Sequence, residues 1–173
     1  RWQARINLVS ASTLGDLWHR HFLDSAQLLP LVPPEAQSLI DLGSGAGFPG
    51  LVLAILGAQG VELVESDARK CAFLREAARV TETPVTIRNL RIEALPARVF
   101  AVVTARGCAP LGRLLILAQG FIGPQTVCLF AKGKEARQEV ASAQNSWSLD
   151  VVSHASRTDP RGVVLCLRRV QRR

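Results

Sequence analysis

Apolar residues along the chain form two kinds of pattern, short continuous runs and longer stretches in which they recur every three or four positions. Short runs are typical of buried strands, and the longer stretches are typical of amphipathic helices. Residues 12–29 carry the helical spacing until Pro30 ends it. Strands are then predicted at 38–42, 61–65, 85–88, 100–104, 126–131, 147–154 and 162–170, and helices at 49–56, 67–80, 111–121 and 134–144.

The alternation of strands and helices between residues 38 and 144 predicts βαβ units, and hence a parallel sheet covered on both faces. The last two strands are joined by residues 155–161 only. Because a crossover helix needs more chain than that, these strands are predicted to pair antiparallel as a hairpin. We therefore expect a single doubly wound α/β domain over residues 1–173, with an antiparallel hairpin at its edge.

A glycine-rich loop, Asp41-Leu-Gly-Ser-Gly-Ala-Gly-Phe-Pro-Gly50, lies between the first of these strands and the helix that follows it. Glycines permit positive φ and let a ligand approach the backbone near the helix N-terminus. Taken from Gly45, the string fits the dinucleotide motif G-x-G-x-x-G, with Glu65 as the ribose-binding acid. Taken from Asp41, it fits the acid-first loop D-x-G-x-G of methyltransferases that use S-adenosylmethionine (SAM). A tight turn without a ligand is the third interpretation.

Two features favour the methyltransferase interpretation. A terminal β-hairpin is the usual end of the seven-stranded methyltransferase sheet and is uncommon in dehydrogenase domains. A two-domain dehydrogenase also needs a substrate domain, for which 173 residues leave no room. We expect SAM as the cofactor. The alternatives are an NAD-dependent oxidoreductase domain and a non-catalytic RNA-binding module that retains the fold.

The net positive charge of the chain indicates a polyanionic partner. Lys and Arg number 21 against 14 Asp and Glu, and the net charge of +7 favours nucleic acid or an anionic membrane surface. Many basic domains nevertheless carry such charge only as a solvated surface. The four cysteines lack CxxC or Cys/His spacing, so we expect no metal site.

The location of the protein follows from what the chain does not contain. The uncharged run from Leu42 to Val61 holds six glycines and is poor as a membrane span. No basic-then-apolar leader is visible. We therefore expect a cytoplasmic protein without membrane association. The sequence contains no methionine, so we also expect that an N-terminal segment precedes it.

The turn after the fourth predicted strand bears on the methyl acceptor. Methylation of exocyclic amines commonly uses an Asn/Asp-Pro-Pro-aromatic turn there, whereas this chain has Thr104-Ala-Arg-Gly-Cys-Ala-Pro110. Methylation of a pyrimidine carbon needs a cysteine nucleophile, and Cys108 has no evident base near it in sequence. An acceptor with its own lone pair, such as guanine N7, needs neither device, so the sequence is compatible with it.

Several motifs follow one another along essentially the whole chain. They are Trp2-Gln-Ala-Arg-Ile-Asn-Leu8, His21-Phe-Leu-Asp-Ser25, the glycine loop, Arg91-Ile-Glu93, Arg106 and Lys132-Gly133. Together they resemble the RsmG (GidB) family of bacterial ribosomal RNA methyltransferases. The resemblance implies a doubly wound, Rossmann-like SAM-dependent methyltransferase fold, with a seven-stranded, mostly parallel sheet and a C-terminal antiparallel β-hairpin. It also implies methylation of guanine N7 in 16S rRNA. We expect a monomer that acts on this RNA within the 30S subunit.

Individual residues acquire expected roles from this resemblance and from their own chemistry. The family's cofactor contacts fall on Gly43, Phe48, Ile92, Glu93 and Arg106, and the glycine-loop pattern adds Gly45 and Glu65. Candidates for the acceptor side or for catalysis are Arg106, Lys132, His21, Asp24 and, more weakly, Ser25, with no general base required. The simpler interpretations are a surface or mutual ion pair for Glu93 and Arg106, and a core histidine for His21.

Basic residues near the carboxyl ends of the strands are expected to contact RNA phosphates, because ligands of an open parallel sheet bind beyond those ends. They are Arg69, Lys70, Arg106, Lys132 and Lys134. A second basic cluster, at the C-terminus, has the pattern of a solvated tail. The chain departs from the family pattern at Arg69-Lys70, where the two basic residues are transposed, and at Cys108, which stands in place of an aromatic residue.

Overall fold

All strands belong to one seven-stranded sheet with the order β3-β2-β1-β4-β5-β7-β6 in the computed structural model, which describes residues 2–173. The fold class expected from the sequence is confirmed. The strands are β1 Leu39–Leu42, β2 Val61–Val64, β3 Thr86–Arg88, β4 Val102–Arg106, β5 Val127–Lys132, β6 Trp147–Ala155 and β7 Val163–Arg172.

The first five strands are parallel to their neighbours, and β7 is antiparallel to both β5 and β6. The predicted hairpin is therefore confirmed, with Val151 of β6 opposite Leu167 of β7. Its placement differs from the expected antiparallel edge in one respect. The edge strand β6 runs in the same direction as β1–β5, and the reversed strand β7 lies one position inside it.

One short helix precedes the first strand, and the helices that follow the strands cover the two faces of the sheet. Their bounds are α1 Asp24–Ala26, α2 Gly50–Ile55, α3 Ala68–Val80, α4 Leu111–Ala118 and α5 Ala136–Ala143. Asp67 caps α3 as predicted, because its side chain accepts hydrogen bonds from the backbone N–H groups of Arg69 and Lys70. Within residues 2–173, no helix is both long and apolar enough to span a membrane.

The helix predicted over residues 12–29 is replaced by a series of short turns of different pitch. A 3₁₀ helix at Ala11–Asp16 leads into a π-helix at Trp18–Leu23, then α1, and a further 3₁₀ turn at Leu29–Leu31. The Ser25 hydroxyl donates to the carbonyl of His21 at 2.7 Å, a bond that competes with regular helix geometry. Wide turns of this kind are frequent at functional sites.

The core consists of two apolar clusters, one on each face of the sheet. On one face Phe130 packs with Leu114 of α4 and Trp147. On the other face Leu53 of α2 and Leu74 of α3 pack on the strands. The strands at the centre of the sheet are therefore buried on both sides, and their carboxyl ends present the loops that form the site.

Candidate active site

The glycine loop leaves β1 through residues that only glycine adopts easily. Gly43, Gly45 and Gly47 have φ values of +70°, +56° and +89°. A Cβ at Gly43 would lie 3.0 Å from the Cys108 sulfur. A side chain at this position would press against Cys108, so glycine is what lets the loop backbone pass close to the turn after β4.

Asp41 anchors this loop from inside the protein. Its side chain is fully buried, and its two oxygens accept hydrogen bonds from the Thr104 hydroxyl at 2.8 Å and from the Gly50 N–H at 3.2 Å. Burial raises the pKa of Asp41, and these hydrogen bonds oppose that rise. The carboxyl group thus joins the end of β1 to β4 and to the start of α2.

Glu65 directly follows β2 and joins the same loop. It is 9% exposed, and its carboxylate accepts from the Gly45 N–H at 2.9 Å and from the Asp67 N–H at 2.8 Å. Each carboxylate oxygen has a second lone pair, so the group can accept further hydrogen bonds from a ligand. The structure therefore brings three of the expected cofactor residues, Gly43, Gly45 and Glu65, into one cradle.

Phe48 lies at the far end of the loop, within a cluster of aromatic and charged side chains. The His21 ring stacks on Phe48 with centroids 5.2 Å apart, and the Arg106 guanidinium lies 5.0 Å from the Phe48 centroid. Arg106 also donates to Asp24 at 3.1 Å and contacts the His21 Nδ1 at 2.9 Å. Four of the residues expected at the site are thus in mutual contact.

His21 is held neutral within this cluster. Burial and then the neighbouring Arg106 lower its pKa, while Asp24 opposes them. Because a guanidinium has donors only, the His21 Nδ1 must accept from Arg106, so Nε2 carries the proton and donates to the Thr13 hydroxyl at 2.8 Å. Thr13 in turn donates to the Ser10 carbonyl at 2.8 Å. This tautomer is assigned from the network of donors and acceptors.

A cavity of about 910 Å³ opens beside this cluster, which we call the acceptor cavity. It lies between the N-terminal segment, the carboxyl ends of β4 and β5, and the β6–β7 loop. Asp24 is fixed on its wall by the Thr158 hydroxyl of that loop and by Gln27. Residues that line it include Thr13, His21, Asp24, Arg106, Lys132 and Thr158.

Lys132 is part of the wall of this cavity. Its side chain is 9% exposed, and its ammonium group donates to Glu139 at 2.8 Å and to the carbonyl of Ala109 at 2.6 Å. Glu139 also accepts from the Leu111 N–H at 2.6 Å. The contact of Lys132 with an RNA phosphate stays a prediction, and it would require the ammonium group to exchange its present partners inside the protein for the phosphate.

Ile92 and Glu93 lie in a 3₁₀ turn after β3, outside the acceptor cavity. Glu93 forms an ion pair with Arg113 at 2.9 Å, and both side chains are half-exposed. The mutual pair of Glu93 with Arg106, one of the simpler interpretations of the sequence, is not formed. Ile92 packs against the core cluster below α4.

The remaining basic residues are on the surface. Arg69 is 72% exposed and pairs with its neighbour Asp67 at 3.3 Å, and Lys134 is equally exposed and lies 3.6 Å from Glu135. Lys70 is half-buried. Arg69 and Lys134 therefore present charge to solvent, as a contact with phosphate would require.

Three residues of the site were not predicted from the sequence, namely Thr104, Glu139 and Thr158. Thr104 carries a signal that could have identified it, because it is a polar residue inside an otherwise apolar buried strand and therefore needs a partner. Glu139 and Thr158 show no such signal. Within residues 2–173, no cluster of three or more His, Cys, Asp or Glu side chains could hold a metal ion.

Solved structures that share this fold include methyltransferases. The ribosomal protein L11 methylase from Lactobacillus delbrueckii subsp. bulgaricus superposes with a TM-score of 0.72 at 16% identity, covering 87% of this chain and 79% of that one. Magnesium protoporphyrin IX methyltransferase from Synechocystis PCC 6803, with bound SAM, superposes with a TM-score of 0.68 at 13% identity, covering 97% and 88%. At such identities the likeness concerns the fold.

Sequence relatives are much closer. Ribosomal RNA small subunit methyltransferase G from Paramagnetospirillum magneticum is 56% identical, over 99% of this chain and 84% of the relative. The protein of the same name from Rhodospirillum rubrum is 53% identical, over 99% and 86%. The family model for rRNA small subunit methyltransferase G matches residues 1–161. The chain therefore belongs to the rRNA small subunit methyltransferase G family.

Proposed function

We propose that this protein transfers a methyl group from SAM to N7 of a guanine in 16S rRNA, and that it does so in the cytoplasm, as a monomer, on the 30S subunit. One observation carries the proposal. The cradle formed by the glycine loop and Glu65 adjoins, through Phe48 and Arg106, a cavity large enough for a nucleobase. Family membership supports the RNA substrate, and the resemblance seen in the sequence implies guanine N7.

The residues of the cradle fit SAM. Glu65 retains free lone pairs for the two ribose hydroxyls, and a Cβ at Gly45 would meet only the Gly43 carbonyl oxygen, at 3.9 Å, so the backbone at Gly45 leaves space for a ligand. Ile92 and Glu93 are proposed at the adenine edge, and there Glu93 would have to exchange Arg113 for the cofactor. When bound, SAM supplies a methyl group on a positively charged sulfur.

The acceptor side requires positioning rather than proton transfer. Guanine N7 attacks with a lone pair, so no proton has to be removed and no general base is needed. The walls of the acceptor cavity are suited to this task, because their charged groups are already paired. Arg106 is bound by Asp24, Lys132 is bound by Glu139, and His21 is neutral. Such a rigid, pre-paired lining orients a base without reorganising during the reaction.

The decisive experiment is methyl transfer from labelled SAM to 30S subunits isolated from a strain that lacks this methyltransferase. The RNA is then reduced and treated with aniline, which breaks the chain at N7-methylguanine. Cleavage at a single position in 16S rRNA is the expected result. Label without aniline cleavage would overturn the N7 assignment, and the absence of label from a protein that binds S-adenosylhomocysteine would overturn the substrate assignment.

The cofactor site has its own matched test. Glu65→Gln keeps the size of the side chain but removes the charge and one acceptor oxygen, so we expect at least tenfold weaker binding of S-adenosylhomocysteine. Arg137→Gln, on the exposed surface of α5, is the control and should bind the ligand as the native protein does. Equal affinities of the two variants in calorimetry would remove Glu65 from the site.

A further inference from the structure

A second cavity, of about 810 Å³, lies between the N-terminal segment and the outer surface of α3. We call it the basic groove. Its lining includes Trp2, Arg5, Arg69, Arg75, Glu76 and Arg79. Four arginines against one glutamate give its lining a net positive charge, and none of its residues lines the acceptor cavity.

The groove is built into the fold. The Trp2 ring packs edge-on against Phe73 of α3, with centroids 5.8 Å apart. The carbonyl of Trp2 accepts the backbone N–H groups of Arg5 and Ile6 at 2.8 and 3.0 Å, and Ile6 is buried. These contacts hold the N-terminal turn against α3, so the guanidinium groups on the two walls face a common space.

Much of the charge in the groove is not neutralised. Arg79 pairs with Glu76 at 2.9 Å, and Arg69 pairs with Asp67 at 3.3 Å. Among residues 2–173, no ion pair involves Arg5 or Arg75. Both of these side chains are exposed. Unpaired arginines in a concave surface provide the planar fork that binds phosphate oxygens in pairs.

The groove is also close to the cofactor site along the chain. Arg69 lies at the first turn of α3, two residues after Asp67, whose N–H binds the Glu65 carboxylate of the cradle. From Arg69 to Arg79 the helix rises about 15 Å, which is long enough for several phosphates in a row. The N-terminal segment that forms one wall of the groove goes on to line the acceptor cavity from Ser10 to Gln27. The same N-terminal segment therefore contributes to both the groove and the acceptor cavity.

We propose that the basic groove binds the sugar-phosphate backbone of the substrate RNA beside the target nucleotide, with Arg5 and Arg75 as phosphate contacts. This inference rests on the proposed function, because it assumes that the substrate is RNA. A polyanion is favoured over a protein partner, since the centres of protein–protein interfaces are depleted of charged residues and the groove is lined mainly by them. The groove anchors the RNA, and the acceptor cavity receives the base.

The test uses the full-length protein with the double substitution Arg5→Gln and Arg75→Gln. The matched control is Arg172→Gln with Arg173→Gln, which removes two exposed arginines from the end of β7, beside the opposite edge strand β6. The affinity for protein-free 16S rRNA and for 30S subunits is measured at several salt concentrations. Binding of S-adenosylhomocysteine and thermal unfolding are measured in parallel to show that both variants are folded.

The plot of log K against log salt has a negative slope, and each lost phosphate contact makes it less steep by about 0.7 to 0.9. For the groove variant we therefore expect a slope that is less steep by about 1.4 to 1.8 on both RNA substrates. The control should keep the native slope. An unchanged slope for the groove variant, while the native protein methylates RNA, would overturn the inference and leave the proposed function standing. Weaker binding to 30S subunits with a native slope on protein-free RNA would also overturn it, because the groove would then contact a ribosomal protein. A native protein that methylates no RNA would instead refute the proposed function.

Discussion

The hydrogen bond between Thr104 and Asp41 offers a sharp test of how the glycine loop is held. Thr104→Val replaces the hydroxyl by a methyl group of similar size, so the buried Asp41 carboxyl group loses its 2.8 Å donor while the packing is retained. The Gly50 N–H remains as a partner, at the longer distance of 3.2 Å. Thr104→Ser is the matched control, because it keeps the hydroxyl and removes only a methyl group.

The magnitude depends on the charge of Asp41. A hydrogen bond to a charged group contributes about 1.5 to 3 kcal/mol to the free energy of unfolding, and a neutral one about 0.5 to 1.5 kcal/mol. Burial raises the pKa of Asp41 above its usual 3.8, and loss of the Thr104 donor raises it further. A carboxyl group whose pKa is higher in the native than in the unfolded protein stabilises the native protein fully at a pH below the unfolded-state pKa. This stabilisation is lost as the pH rises through the native-state pKa. The cost of Thr104→Val should therefore be larger at pH 7 than at pH 4.

The assay is urea unfolding of the native protein and both variants at pH 7 and at pH 4. At pH 7 we expect Thr104→Val to lower the free energy of unfolding by about 1.5 to 3 kcal/mol and Thr104→Ser to lower it by about 1 kcal/mol. Binding of S-adenosylhomocysteine should weaken in the valine variant, because Asp41 positions the loop. If the valine and serine variants were equally stable at pH 7, or if the cost were the same at both pH values, the reasoning would be refuted.

Three further predictions concern packing, an internal ion pair and a neutral histidine. Gly50→Ala should lower the free energy of unfolding by about 1 to 3 kcal/mol or more, because the new Cβ would lie 2.5 Å from two buried side chains. The control is Gly112→Ala on α4, where the new Cβ would be in open space and should not destabilise the protein. Lys132→Met should cost about 3 kcal/mol in the same urea assay, since it leaves Glu139 without its cation, and the double variant with Glu139→Gln should recover part of that loss. The pKa of His21 in the native protein is lowered from its usual 6.5. Its contribution to the free energy of unfolding is therefore fully present above pH 6.5 and is lost as the pH falls through the lowered pKa. We expect the difference in free energy of unfolding between the native protein and His21→Gln to shrink as the pH is lowered from 7.5 to 5. A difference that stays constant over this range would contradict the prediction.

Much of the fold was predictable because its information is local. The buried strands are short apolar runs, and most of their predicted bounds are within two residues of those observed. The fourth strand is shifted by two residues at both ends. It was predicted at 100–104 and lies at Val102–Arg106. Phe100 extends the apolar run of the sequence, but it packs into the core from the loop before the strand. Arg106 belongs to the strand although its charge suggests a loop. The position of β7 between β5 and β6 was not predictable, since a hairpin pattern does not specify which neighbour each strand takes.

The candidate site divides in the same way. The glycine loop and Glu65 were predictable, because the spacing of glycines and of a strand-end acid is a local pattern. The pairing of Lys132 with Glu139 was not, because it joins a strand end to the helix that follows through a turn whose geometry the sequence does not show. Glycine loops of SAM-dependent and NAD-dependent proteins are also too similar to be separated locally, and the NAD-dependent alternative is excluded by the family to which the chain belongs. Turnover will decide between an enzyme and a non-catalytic RNA-binding module.

The central place of β7 has a consequence for the order in which the protein is completed during synthesis. The cradle is built from β1, β2 and the loop between β1 and α2, all encoded before residue 66. The acceptor cavity needs the β6–β7 loop and the first residues of β7. Strand β7 pairs with both β5 and β6, and β6 has no other partner within residues 2–173. Until the ten residues of β7 leave the ribosome, β6 is therefore unpaired and β5 has an open edge. The glycine loop and Glu65 are therefore encoded first, the proposed cofactor contacts Ile92 and Glu93 follow, and the cavity proposed to admit the RNA is closed only by β7.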